Sequence, residues 1–105
     1  MEQPNIDYFI KLSNNNDSFK QKLIEVIKHE LPLEIDFYFN CITLKEWEKA
    51  AESVHKLKHK IGVLGMEKGY HVAEEYEKNL REGLTESQSA FEETLTTINQ
   101  FIKLL

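Results

Sequence analysis

The chain carries a single cysteine, Cys41, among its 105 residues, so it closes no internal disulfide. That usage suits a reducing compartment, and a cytoplasmic setting is expected. Glycine (4) and proline (2) are scarce, which argues against a turn-rich β-sandwich or barrel. No stretch approaches the roughly 20 apolar residues of a membrane span. The opening MEQPNIDYF is polar and acidic, unlike a secretory signal. An excess of basic residues is missing too: Lys+Arg is 13, Asp+Glu is 18, and the net charge is -5. A duplex nucleic-acid binder has the opposite sign. Neither nucleic acid nor membrane is expected as a partner. The length fits one domain, residues 1–105, with one core and no deep cofactor pocket.

What the chain does have is helical periodicity. Ile6, Phe9 and Ile10 share a face in a short first segment, which the SNNND run (Ser13 to Asp17) breaks. A second segment starts near Asp17 or Ser18, with Phe19, Leu23, Val26, Ile27 and Leu31 three and four residues apart. Pro32 predicts a kink or a break. Ile35, Tyr38, Phe39 and Ile42 resume the helical spacing, although Ile35, Phe37, Phe39 and Cys41 also alternate as a strand would. No second alternating run offers such a strand a partner, so helix is preferred. Cys41 reads as a small apolar filler.

Thr43 with Glu46 reads as a capping box opening a third helix, whose seam is Trp47, Ala50, Val54, Leu57, Ile61 and Leu64, stopped by Gly65. A fourth segment runs from Glu67 to Glu82, with Gly69, Val72, Ala73, Tyr76 and Leu80 inward, and Gly83 ends it. Thr85 with Gln88 reads as a second capping box, before the stripe Phe91, Leu95, Ile98, Ile102 and Leu105. Trp47 and Phe91 are expected in the core. The fold class expected is all-α: an antiparallel up-down-up-down four-helix bundle with a short extra N-terminal helix.

His55 follows the core residue Val54, about 100° round the helix, so it should be exposed yet rooted on a rigid element. Ala51 and Gly62 lie on that side and would leave a flat approach for another protein. Glycine inside a helix costs about 1 kcal/mol relative to alanine, which points to close approach at Gly62. Lys56, Lys58, His59 and Lys60 make a local basic spot. An imidazole with one protonated nitrogen keeps the other nucleophilic. Cations nearby would stabilise arriving phosphoryl oxygens. His55 and His59, four residues apart, have the spacing of a shared zinc ion. Neither an HExxH glutamate nor a cysteine pair supports it, and no metal is expected in this chain. His29 and His71 read as surface residues.

The segment VHKLKHKIGVLGM, Val54 to Met66, resembles the signature of histidine-containing phosphotransfer (HPt) domains of two-component phosphorelays. That signature is a histidine, leucine at +2, lysine at +3, an apolar residue near +9 and glycine at +10. His55, Leu57, Lys58, Leu64 and Gly65 fill those places. KEWEKAAESVH is similar to the usual approach to the histidine, and AEEYEKNLREG to the following helix. The family often has glycine at +4 and a small polar residue at +5, where this chain has His59 and Lys60. Bulk at His59 would narrow partner choice.

The resemblance implies that His55 accepts a phosphoryl group on Nε2 from a receiver-domain phospho-aspartate and passes it to another receiver. It implies that Lys58 neutralises phosphate charge and that Glu77 bonds the other ring nitrogen. Ala51, Lys56, His59 and Gly62 would contact receiver domains of response regulators or hybrid kinases. No cofactor would sit in this chain. Magnesium would belong to the receiver, and the chain would act as a monomeric phosphohistidine carrier rather than an independent enzyme. The rival expectation is a phosphorylation-independent docking module in which His55 is inert.

Overall fold

The computed structural model describes residues 2–105, which form five α-helices and, among the described residues, no strand. They are α1 (Asp7–Ser13), α2 (Asp17–Thr43), α3 (Trp47–Val63), α4 (Glu67–Arg81) and α5 (Gln88–Leu104). α2 packs on α3, α3 on α4, α4 on α5, and α5 returns to α2, while α1 lies against α2. The result is a helical bundle. No helix among the described residues is long and apolar enough to cross a membrane.

The core is built from the periodic positions. Leu31 and Tyr38 from α2, Val54, Leu57 and Ile61 from α3, Ala73 and Tyr76 from α4, and Phe91, Leu95 and Ile98 from α5 are sealed from solvent. In the ambiguous stretch the helical spacing wins. Ile35 and Tyr38 are buried, whereas Phe37 and Phe39, which a strand would place with Ile35, are exposed.

Several local expectations are corrected. Of the kink or break expected at Pro32, the break does not occur: α2 runs unbroken through it. The ring forfeits one backbone hydrogen bond, but Leu31 and Ile35 are buried on either side and their packing outweighs it. α2 has 27 residues against 15 and 17 in the helices beside it. At 1.5 Å per residue it outruns them, in keeping with a longest dimension of 45 Å. Its first turns therefore have less to bury against, and Phe19 and Val26 are exposed rather than inward. Trp47, expected in the core, opens α3 at the surface and is 37% exposed. Phe91 is buried as expected.

Neither capping box forms. Thr43 is still inside α2, and α3 starts from Glu46 without a side-chain cap. The N-cap of α5 is Ser87, again without a side-chain cap. The asparagine run behaves as its chemistry dictates: Asn14 takes the left-handed conformation that ends α1, and Asn16 accepts from the Phe19 N–H at 3.0 Å to open α2.

One device ties α3 to α4, and a second ties α4 to α2 and α5. Residues 2–5 strap the turn between α3 and α4. The Asn5 N–H donates to the Leu64 carbonyl at 2.8 Å, and the Glu2 carboxylate accepts from the Lys68 and Gly69 N–H groups at 2.7 and 2.8 Å. The second device is a buried chain of hydroxyls. The Tyr38 hydroxyl lies 2.7 Å from that of Tyr76 and donates to Glu92 at 2.8 Å. A carboxylate only accepts, so Tyr76 donates to Tyr38 and Tyr38 to Glu92. Burial, then these bonds, pushes the Tyr38 hydroxyl far above its ordinary range, and burial raises that of Tyr76, so both stay protonated. Tyr76 immediately precedes Glu77 and fixes the rotation of α4.

Candidate functional site

His55 sits on α3 with its side chain 50% exposed, at the edge of the seam formed by Val54 and Leu57. Across the α3–α4 groove, Glu77 Oε1 lies 3.0 Å from His55 Nδ1. The Glu77 side chain is only 15% exposed. Burial alone would push its carboxyl up. Hydrogen bonds from His55 and Arg81, with the charges of His55 and Lys58, more than offset burial and hold it below the usual carboxylate range. Glu77 is therefore the acceptor, and the ring donates from Nδ1. In the neutral ring this leaves Nε2 unprotonated, on a side chain half exposed to solvent.

The carboxylate is gripped from both ends. The Lys58 ammonium lies 3.5 Å from the same Oε1 that faces His55. The Arg81 guanidinium donates to Oε2 at 3.2 Å and reaches Glu48 of α3 at 3.5 Å. Lys58 is buried, with its ammonium 5.7 Å from the centre of the Tyr70 ring. Arg81 and Tyr70 carried no role in the sequence reading. The signals were the four-residue spacing of Glu77 and Arg81 on one helix face, and an aromatic residue one turn into α4.

The remaining expected site residues are scattered by the helical twist. The ring of His59, also exposed, stands 5.0 Å from that of His55, edge to face. Lys56 points to solvent, whereas Lys60 is ion-paired with Glu34 of α2. The KLKHK run is thus not one basic patch: Lys58 and Lys60 are each committed to a carboxylate. Ala51 was expected at a partner surface, and this is corrected. It is fully buried and contributes to the core instead. Gly62 is exposed, but its missing side chain already has a use within the chain. A Cβ there would lie 3.2 Å from Tyr70 Cδ2.

The α2–α3 surface holds a cleft of about 400 Å³ lined by Leu33, Phe37, Lys49, Glu52 and Lys56, among others. Leu33 and Phe37 are 69% and 53% exposed, large for apolar side chains on one helix face. Cys41 is buried, and burial raises its thiol, which fits the filler reading. Among the described residues, no group of three or more His, Cys, Asp or Glu side chains is arranged to hold a metal ion. His29 and His71 are on the surface, His29 bonded to Glu25.

Searches of protein-family models, of curated proteins and of solved structures return no match to this chain.

Proposed function

We propose that the protein is a phosphorelay intermediate of the histidine-containing phosphotransfer kind, in which His55 carries the phosphoryl group. The observation that carries the reading is the half-exposed imidazole whose Nδ1 is engaged by the ionised Glu77 at 3.0 Å. The Nε2 lone pair attacks the phosphorus of a receiver's aspartyl phosphate. The Nε2–P bond forms, the P–O bond breaks, and the aspartate carboxylate leaves with the electron pair. Positive charge that develops on the ring is balanced by Glu77 through Nδ1–H. Onward transfer reverses the step on the aspartate of a second receiver. Magnesium and most of the polarising groups belong to the receiver.

The short connections at residues 44–46 and 64–66, with α5 returning to α2, support an up-down-up-down arrangement of α2 to α5. That topology leaves His55 on an outer face. The cleft between α2 and α3, with Leu33 and Phe37, supplies apolar surface suited to a protein partner.

The test is transfer from a panel of phosphorylated receiver domains. Wild-type protein should gain one acid-labile, alkali-stable phosphoryl group. His55→Gln should gain none while keeping the same circular dichroism and melting temperature. Equal gain by both proteins, or none by either, overturns the reading. Receiver binding that survives His55→Gln with no transfer to either protein would indicate a docking module.

A further inference from the structure

We infer that Arg81 and Lys58 are positioning residues that act on His55 through Glu77, locking the carboxylate so that it selects the imidazole tautomer with a free Nε2. The consequence for transfer rests on the reading of His55 as phosphoryl acceptor. The tautomer itself does not.

The resemblance gave Lys58 to the phosphate, but its surroundings give it another task. Its ammonium lies beside the oxygen that accepts Nδ1–H, and its side chain is only 11% exposed. The two nitrogens of an imidazole sit on opposite edges of the ring. A cation held beside the Nδ1 acceptor is therefore on the far side from a group carried by Nε2. Arg81 completes the clamp. It binds the other carboxylate oxygen at 3.2 Å and is steadied by Glu48 of α3 at 3.5 Å. Both oxygens of Glu77 then have cationic partners, one from each of the two helices that bound the groove. A carboxylate bonded at one oxygen only can rotate away from Nδ1. One clamped at both cannot do so without breaking an ion pair. A free imidazole favours the proton on Nε2, the nitrogen that must be bare, so the clamp opposes the intrinsic preference.

The experiment reads the ring directly. Two-bond ¹H–¹⁵N spectra of the uniformly labelled chain, at mildly alkaline pH, report which nitrogen of His55 holds the proton. Wild type should show Nδ1–H. Arg81→Gln and Lys58→Met should each move the population toward Nε2–H, Glu48→Gln should do so more weakly, and Arg81→Lys should restore most of the wild-type pattern. Loading by phosphoramidate, a small donor that needs no receiver, should slow in Arg81→Gln relative to wild type. Arg81 is 42% exposed, so this substitution leaves the core untouched. An unchanged tautomer in both Arg81→Gln and Lys58→Met overturns the inference. So does a Lys58→Met protein whose only change is faster loss of the phosphoryl group, which would return Lys58 to the phosphate. A tautomer shift in a protein that never accepts phosphoryl would uphold the clamp and overturn the relay.

Discussion

At the scale of single residues, the site is decided by where side chains can reach rather than by which types are adjacent in sequence. Each residue turns a helix by about 100°, so Lys56, Lys58 and Lys60 face solvent, Glu77 and Glu34 respectively. The same geometry buries Ala51, one turn before the exposed His55. Glu77 gives this arrangement a measurable pH signature. Its folded carboxyl titrates below the unfolded one, so the folded state binds fewer protons there. The stability it contributes is whole above about pH 4.5 and is lost as pH falls through the folded value. In urea titrations, the stability gap between wild type and Glu77→Gln should therefore narrow on acidification below about pH 4.5. A gap of the same size throughout would mean that the carboxylate is not held by its cations.

At the scale of elements, the helices end where backbone geometry demands, and the capping patterns are poor guides. Gly65 and Gly83 close α3 and α4 with φ of +79° and +76°, a region costly for any residue with a Cβ. The two turns differ in what surrounds them. A Cβ on Gly65 would lie 2.6 Å from Asn5 Nδ2, whereas one on Gly83 would meet nothing within 4 Å. Gly83→Ala should cost about 1 kcal/mol, from conformation alone. Gly65→Ala should cost more, roughly 2–3 kcal/mol, because the strap of residues 2–5 must also shift. Denaturant midpoints measure both, and equal losses would show that the strap contributes nothing to the turn. Thr43 with Glu46 had the spacing of a cap, but α2 had enough buried surface through Tyr38 and Cys41 to continue as far as Thr43. Pro32 is the same lesson, since packing on both sides carries a helix across a residue that would end it in isolation.

At the scale of the whole molecule, a polar chain ties the apolar layers together. Tyr38, Tyr76 and Glu92 come from α2, α4 and α5, and their bonds of 2.7 and 2.8 Å lie within the bundle. Tyr38→Phe removes the middle member, leaving the Tyr76 hydroxyl buried without its acceptor and Glu92 with only the Gln88 amide as donor. It should destabilise the fold by about 1–3 kcal/mol. It should also loosen α4 beside Glu77, which hydrogen exchange of the α4 amides would register as faster opening than in wild type. Full retention of stability would show that water or a rearranged neighbour takes over the bonds.

The amino-acid order alone determined that the chain is helical, how many helices it makes and most of what they bury, because a period near 3.6 in apolar residues has one economical solution. It also singled out His55 and Glu77, whose residue types and surroundings resembled a known pattern. It did not reveal Arg81, Tyr70 or the exposed pair Leu33 and Phe37, nor that Lys58 and Lys60 are committed to carboxylates. The two lysine pairs join residues 19 and 26 positions apart, and the exposed pair depends on which face of a helix its neighbours leave uncovered. One-dimensional spacing carries the shape of each helix, but only the packing of one against another fixes which charges meet and which side chains remain in water.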